Sequence, residues 1–307
     1  MNSRSCGSEQ QAMSAVKMSA GTSGGMPRCS FATPQLPVAL DPSDVLTDPF
    51  PHILRRNALP PETYAALEAG FPTLAMILDG RTVVANNQAV RMSVKQVLND
   101  RRLSPLWRGF FEYHTSAAYW REVVRLFGDR FRRAFPGLEE HVGRRYEDWR
   151  VTPRGFGGDA DIHLDCQFVM NTPVTQVCSV KTAHIDLCDK IFSALYYFRA
   201  PTDDAPGGDL EIYRWQRSPR FIKHRVMQRD IVLAKTVEYQ ANAYVCFLNS
   251  ENAVHGVSPR GITAIPRRYV NFIAELPIKA FRPRQLNRWQ RAWYRHEVRA
   301  TAHEERY

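Results

Sequence analysis

Apolar positions recur with two different periods along the chain, and the change falls near residue 149. Before it, "PPETYAALEAGF" and "SAAYWREVVRLFGDRFRRAF" carry apolar residues at helical spacing, the second with a stripe of Tyr119, Val123, Val124 and Phe127. After it come short β-prone runs separated by Gly, Pro, Asp and Asn: "CQFVMN", "VTQVCSV", "FSALYYF", "DLEIYRW", "IVLA", "AYVCFLN" and "RRYVNFIAEL". Many short strands with turn signals between them are typical of an antiparallel sandwich or barrel.

The same pattern predicts four parts of the chain. Residues 1–40 contain no apolar segment of the kind found in secretory signals, and we interpret them as a disordered leader. Residues 41–148 are predicted to form a helical support region. Residues 149–278 hold the β-prone runs and are predicted to form the core, and residues 279–307 are predicted to form a basic C-terminal helix or tail.

Composition narrows the class of protein. With 307 residues and 44% hydrophobic content, the chain can bury a sizeable core. No apolar run approaches the ~18 residues of a membrane span, so none is expected. The six cysteines include no C-x-x-C pair, and two of them lie in the leader. Because neither a disulfide framework nor a zinc finger fits that spacing, a reducing, cytoplasmic setting is expected.

The net charge of +10 is concentrated at the C-terminus. From Lys279 onward, eight basic side chains stand against three acidic ones, a segment charge of +5. Such a tail can bind nucleic acid or an anionic surface. Leu286, Trp289, Trp293 and His296 nevertheless recur at helical spacing, so we favour a terminal helix whose apolar face packs on the core with its arginines in water.

The stretch "TAHIDLCDKIFSALYYF" (182–198) carries the candidate chemistry. His184 and Asp186 alternate with Ile185, so in an extended chain both side chains leave the same face. His255 follows the run "AYVCFLN" after a polar turn, and two arginines open the next predicted strand. Two histidines and one carboxylate are the ligand set of non-heme Fe(II) oxygenases, which leave the opposite face of the metal open. A neighbouring arginine could grip an anionic co-substrate.

The ordered set "HID" (184–186), "GGDLEIY" (207–213), "FLNSENAVHGVSP" (247–259) and "RRYVNF" (267–272) resembles the Fe(II)/2-oxoglutarate-dependent dioxygenases, in their prolyl-4-hydroxylase-like branch. The resemblance covers roughly residues 160 to 276. It implies a mainly β, α+β fold: a double-stranded β-helix core, related to jelly rolls and cupins, flanked by helices.

The resemblance also implies roles for individual residues. His184, Asp186 and His255 would bind iron, and an arginine on the last strand would bind the distal carboxylate of 2-oxoglutarate. Neighbouring residues on a strand face opposite sides, so only one of Arg267 and Arg268 can do so. We favour Arg268, with Arg267 as the alternate, because Arg268 directly precedes the tyrosine as in the family motif.

The implied activity is hydroxylation of a small-molecule or carrier-bound substrate. The co-substrates would be 2-oxoglutarate and O₂, with release of succinate and CO₂, and ascorbate is a further candidate cofactor. A nucleic-acid partner is not expected, and the oligomeric state is left open. Two alternatives remain: a cupin-type metal enzyme that does not use 2-oxoglutarate, and a non-enzymatic β-barrel binding module with a basic tail.

Two further features are open at this stage. "DIHLDCQFV" contains a second H-x-D, His163 and Asp165, but the pair at 184 and 186 is followed by the other motifs in family order. Gln167 and Asn171 lie on a predicted strand before the metal pair and are candidate contacts to the co-substrate. Buried polar residues on strands are more often structural.

Overall fold

A computed structural model of the protein describes residues 34–36, 40–82 and 85–295. Most of the predicted leader, Cys6, Cys29 and His296 lie outside the described residues. The helices are α1 (Pro61–Ala69), α2 (Leu74–Leu78), α3 (Val94–Asn99), α4 (Pro105–His114), α5 (Ala117–Phe127), α6 (Asp129–Ala134), α7 (Leu138–Val142) and α8 (Arg288–Trp293). Short 3₁₀ turns occupy Pro42–Asp44, Tyr146–Asp148 and Gln228–Asp230. The strands are β1 (His52–Arg55), β2 (Ala89–Met92), β3 (Val151–Pro153), β4 (Ile162–Asn171), β5 (Lys190–Tyr197), β6 (Leu210–Trp215), β7 (Ile231–Val237), β8 (Tyr244–Leu248), β9 (His255–Val257) and β10 (Arg267–Glu275).

Two sheets make up the β-rich part. The larger has the order β1-β8-β5-β10-β4-β2, with β3 added in parallel to β4, and the smaller has the order β7-β6-β9. The segment at His184 extends the smaller sheet by an antiparallel bridge to His255. From β4 onward the chain therefore passes back and forth between the sheets, as in a jelly roll. The predicted double-stranded β-helix flanked by helices is confirmed.

The two faces of the larger sheet bury different partners. Along β10, Val270, Phe272 and Ala274 join the core shared with the helices. The alternate residue Tyr269 joins a second core with Leu210 of the smaller sheet. This alternation is the period of two expected for a strand covered on both faces. Odd-numbered residues of β10 consequently face the interior between the sheets, while even-numbered residues face the helices.

The helices form where the sequence supplies caps and an apolar face. Ser104 caps α4 by accepting the backbone N–H of Trp107, and Ser116 caps α5 in the same way. The predicted stripe of α5 is buried, and the helix ends at Gly128, whose φ of +49° is open to glycine at little cost. Trp107 lies at the centre of this layer, with its ring 4.6 Å from that of Phe168 on β4.

Three parts of the predicted pattern differ from the structure. "VTQVCSV" is a connection held by the isolated bridges Val174–Thr263 and Cys178–Arg260, because Pro173 just before it and its own polar residues leave no continuous ladder. The strands β1 and β2 come from the part of the chain read as mainly helical, and they extend the larger sheet along β8 and β4. Both have four residues, too few for a clear alternation.

The predicted packing of the C-terminal tryptophans is wrong. Leu286 is 2% exposed, but Trp289 and Trp293 are 77% and 83% exposed. The reason is the helix start: Asn287 caps α8, so Leu286 precedes the helix and its backbone N–H bonds to Phe221 instead. The apolar spacing is therefore not projected onto one helical face. Among the described residues, no helix has the length and apolar character needed to cross a membrane.

This arrangement predicts unequal effects of substitution in the tail. Changing both Trp289 and Trp293 to serine is expected to alter the free energy of unfolding by less than about 1 kcal/mol, because both rings are exposed. Leu286→Ala is expected to cost about 2–3 kcal/mol. Urea unfolding followed by circular dichroism compares them. A larger loss from the tryptophan pair would show that the rings are covered in solution.

His114, buried in the helical layer, makes the stability of the fold depend on pH. Its Nδ1 donates to the Phe110 carbonyl at 2.6 Å, and its Nε2 accepts the Leu36 N–H at 3.0 Å. Burial lowers the pKa of this histidine from 6.5 to about 3, because the charged ring would lose its hydration in the core. The stability that neutral His114 contributes is complete above its unfolded pKa of 6.5 and is lost as the pH falls toward 3.

His114→Gln is therefore expected to flatten the acid side of the stability profile. Between pH 6 and 4 the metal-free wild type should lose about 1.4 kcal/mol per pH unit more than the variant, the amount linked to one proton. Urea unfolding at several pH values measures both slopes. Parallel profiles would contradict the buried neutral state of His114.

Candidate metal centre

Backbone pairing brings the two candidate histidines side by side. His184 and His255 exchange N–H···O bonds of 2.8 and 2.9 Å, and their ring centroids lie 4.3 Å apart. Asp186 Oδ1 is 3.8 Å from Nε2 of His184 and 4.0 Å from Nε2 of His255. One ligand atom from each residue lies within 4.8 Å of the others, and within the described ranges no other three His, Cys, Asp or Glu residues converge this way.

Hydrogen bonds orient each side chain of this centre. The Nδ1 of His184 lies 2.7 Å from the Thr182 carbonyl, and the Nδ1 of His255 lies 2.9 Å from the Ala253 carbonyl. A carbonyl only accepts, so each Nδ1 carries the proton and each neutral ring turns an Nε2 lone pair toward the centre. Ser193 donates to Oδ2 of Asp186 at 2.7 Å, which leaves Oδ1 for the centre.

Electrostatics keep all three groups in the form that binds metal. Burial lowers the pKa of His184 well below its usual value, and His255 and Lys181 lower it further. Burial likewise lowers the pKa of His255. Burial opposes ionisation of Asp186, but the charge of Lys190 and the hydrogen bond from Ser193 outweigh it and hold the pKa of this carboxyl below its usual value. Two neutral imidazoles and a carboxylate fit a divalent cation of the Fe(II) type.

The second H-x-D does not join this centre. Asp165 is buried and its carboxylate is already partnered, accepting the N–H of Val94 at 3.2 Å and the Gln167 amide at 2.6 Å. Arg154 also lies 3.5 Å from it. His163 lies on β4 opposite Glu275. The Asp165 carboxylate is therefore occupied by other partners, and His163 lies in the strand ladder. Of the two H-x-D pairs, the one at 184 and 186 lies beside His255.

The two candidate anchor arginines point to opposite sides of the larger sheet. Arg268 faces the helices, where its Nη2 lies 3.0 Å from Glu68 Oε1 and its Nε donates to the Phe198 carbonyl. Arg267 faces the interior, is 2% exposed and donates through Nε to the Gly208 carbonyl at 2.8 Å. Of the two candidates, the alternate Arg267 therefore faces the interior between the sheets, and the favoured Arg268 faces the helices. Motif position alone does not tell which face a strand residue takes.

Arg267 belongs to a polar patch inside the barrel. Its guanidinium carbon lies 4.7 to 5.0 Å from the ring centroids of Tyr197, Tyr239 and Tyr269. Asn171 stands directly opposite Arg267 in the ladder between β10 and β4. Buried polar atoms here have no hydrogen-bond partner among the described residues: Asn171 Oδ1 and Nδ2, Tyr197 OH and Arg267 Nη2. Farther along β4, Gln167 Oε1 has none either.

Unmet donors and acceptors in one buried place need an explanation, since each costs roughly 1–3 kcal/mol. A polar ligand that carries negative charge would satisfy Arg267 and Tyr197 together. The residues present therefore fit a carboxylate of 2-oxoglutarate. Of the two candidate contacts, Asn171 lies opposite Arg267, whereas Gln167 lies opposite Asn271, four residues away along β4, and donates to Asp165.

Ser193 and Arg260 are two residues of this interior that the sequence analysis does not single out. Ser193 had a usable signal, because it is a polar residue in register with Leu195 and Tyr197 on the inward face of β5. Arg260 lies in the connection between β9 and β10, where no sequence periodicity indicates which way its side chain points.

Comparisons with known proteins give structural likenesses only. No protein-family model and no curated protein matches this sequence. A prolyl-4-hydroxylase from Pseudomonas putida is 14% identical, covering 74% of this chain and 93% of its own, with a TM-score of 0.38. A prolyl 4-hydroxylase from Phytophthora capsici is 12% identical, covering 81% of this chain and 68% of its own, with a TM-score of 0.42.

The dioxygenase for auxin oxidation from Arabidopsis thaliana, solved as its 2-oxoglutarate complex, is 10% identical. It covers 78% of this chain and 89% of its own, with a TM-score of 0.39. These likenesses are to the superfamily and the branch that the sequence motifs resemble. They are distant in sequence and in backbone superposition, so the metal set and the polar interior are the basis for assigning a function.

Proposed function

We propose that the protein is an Fe(II)- and 2-oxoglutarate-dependent oxygenase. The observation that carries the proposal is the convergence of three ligand atoms, one each from His184, Asp186 and His255, within 4.8 Å of one another. Backbone carbonyls hold both Nδ1 atoms. Bound iron would supply O₂ activation coupled to oxidative decarboxylation of 2-oxoglutarate to succinate and CO₂, with hydroxylation of the substrate. The protein would contribute ligand orientation, charge and a dry interior.

The interior of the barrel supports 2-oxoglutarate as the co-substrate. Arg267 would hold its distal carboxylate through a planar fork, and Tyr197 offers a hydroxyl without a partner in the described part of the chain. Tyr269 and Asn271 follow Arg267 on the inward face of β10. Ile273, next on that face, pairs with Ser193, which reaches Asp186. One face of β10 thus leads from the anion-binding arginine to the metal ligands.

A small-molecule or carrier-bound substrate with an anionic group fits the charge around the centre. The chain carries a net charge of +10. Lys190 lies near enough to Asp186 to be the main influence that lowers the pKa of this carboxyl. Lys181, exposed at the surface, also acts on His184. A negatively charged group on the substrate would be attracted to this side of the metal centre.

Anaerobic reconstitution tests the proposed function. Fe(II) and 2-oxoglutarate together should give a visible charge-transfer absorption that neither gives alone, and O₂ should then release succinate. Metal binding with no spectral change on adding 2-oxoglutarate would instead favour a cupin-type enzyme that does not use this co-substrate. Failure to bind any divalent metal would contradict the proposal outright.

A further inference from the structure

A second buried arginine lies beside Arg267. Arg260 is 1% exposed, and its Nη2 donates to Asp203 Oδ2 at 2.7 Å. The guanidinium carbons of Arg260 and Arg267 lie 5.4 and 4.8 Å from the ring centroid of Tyr239. A Cβ placed on Gly208 would lie 3.3 Å from both Arg260 Nη1 and Arg267 Cδ. The two arginines therefore border one small space, which the absence of a side chain at Gly208 keeps open.

Arg260 is only partly satisfied by the protein. Its Nε and Nη1 are buried and find no hydrogen-bond partner among the residues that the structure describes. Arg267 Nη2 is in the same situation. Buried guanidinium donors without partners are costly, because the charge has lost its water without gaining an acceptor. Three such donors in adjacent side chains indicate an anion that accepts from both.

The local charge balance leads to the same conclusion. Arg199 is the third arginine near Tyr239, and its donors are taken by the carbonyls of Asp203, Tyr239 and Ala205. Asp203 pairs with Arg260 and lies 3.7 Å from Arg199.

Asp209, which accepts the N–H of Tyr239, is the other carboxylate in this group. The three arginines and two aspartates named here, all among the described residues, together carry one net positive charge, which an anionic ligand would balance.

Resting on the proposed function, we infer that Arg260 and Arg267 together hold the distal carboxylate of the co-substrate, with Arg260 oriented by Asp203. The start of β10 supplies Arg267, and the connection between β9 and β10 supplies Arg260. Two planar forks around one carboxylate would favour a 2-oxo acid with a second carboxylate over one without it. Arg260 is then a residue that contacts the co-substrate, and Asp203 is a positioning residue.

Calorimetric titration of the Mn(II)-loaded protein tests this without turnover. The probes are 2-oxoglutarate, which has a distal carboxylate, and oxalate, which can chelate the metal but has none. Arg260→Met is expected to weaken 2-oxoglutarate binding about 10-fold or more and to leave oxalate binding unchanged. Asp203→Asn should show the same selectivity with a smaller loss. Arg268→Met is the matched control, because Arg268 lies on the face of β10 that packs against the helices. It should change neither affinity.

The outcomes separate the two proposals. If the wild type binds Mn(II) and oxalate but not 2-oxoglutarate, the proposed function fails. If the wild type binds 2-oxoglutarate and Arg260→Met binds it equally well, or loses both probes equally, the role of Arg260 is overturned. Should Arg260→Met not fold, Arg260→Lys decides, because lysine keeps the charge beside Asp203 but lacks the fork. Unchanged 2-oxoglutarate affinity in Arg260→Lys would also overturn the inference.

Discussion

Alanine at His184, Asp186 or His255 is expected to weaken divalent-metal binding by more than about 100-fold and to abolish succinate release. Loss of an outer-shell partner alone costs roughly 10–100-fold in metal affinity, so loss of a ligand should cost more. Each ligand atom has its own orienting partner, so a neighbour is not free to turn into the gap. Titration of the metal-free protein with Mn(II), followed by electron paramagnetic resonance, measures the affinity.

The chain offers two controls for this prediction. His163→Ala alters the other H-x-D and should leave Mn(II) affinity within about twofold, because His163 lies outside the group of converging ligands. The Mn(II) affinity of Ser193→Ala should lie between those of the wild type and of the ligand variants. We expect a loss of roughly 10-fold, since the substitution removes the hydroxyl that donates to Asp186. Equal Mn(II) affinity in Asp186→Ala and the wild type would refute the metal centre.

The three candidate metal ligands could be singled out from the sequence because they lie where strand periodicity is informative. His184 and Asp186 share a face by their spacing of two, and His255 follows a continuous apolar run that reads as a buried strand. Whether they meet depends on the pairing of His184 with His255, which local pattern does not contain. The order of the motifs supplied that missing information through the family resemblance.

The direction of a side chain was harder to predict than the presence of a strand. The motif favours Arg268, but in β10 Phe272 packs against the helices and Tyr269 faces the interior. Because alternate residues of a strand share a face, Arg267 lies on the interior face with Tyr269. Since β10 is buried on both faces, its sequence does not alternate between apolar and polar residues. The sequence therefore does not show which residues of β10 face the interior. The short strands β1 and β2 and the exposed tryptophans of α8 were missed for related reasons, since a few residues carry too little periodicity.

Arg267→Met is expected to remove most of the stabilisation that 2-oxoglutarate gives to the Mn(II)-loaded protein. Losing one partner of a buried, hydrogen-bonded charge pair costs about 2–5 kcal/mol, or roughly 30- to several-thousand-fold in affinity. A ligand that binds only the folded state raises the unfolding midpoint in proportion to the logarithm of its affinity. Thermal unfolding with and without 2-oxoglutarate therefore reports the loss directly.

Arg268, next to Arg267 on the opposite face of β10, provides the control for this measurement. Arg268→Met should lower the unfolding midpoint without ligand, because it breaks the contacts to Glu68 and to the Phe198 carbonyl, yet keep the full upward shift on adding 2-oxoglutarate. Arg267→Lys should keep part of the shift, because lysine retains the charge but loses the fork. A shift that survives Arg267→Met and disappears in Arg268→Met would mean that β10 presents its other face to the co-substrate, and the interior anion site would then be wrong.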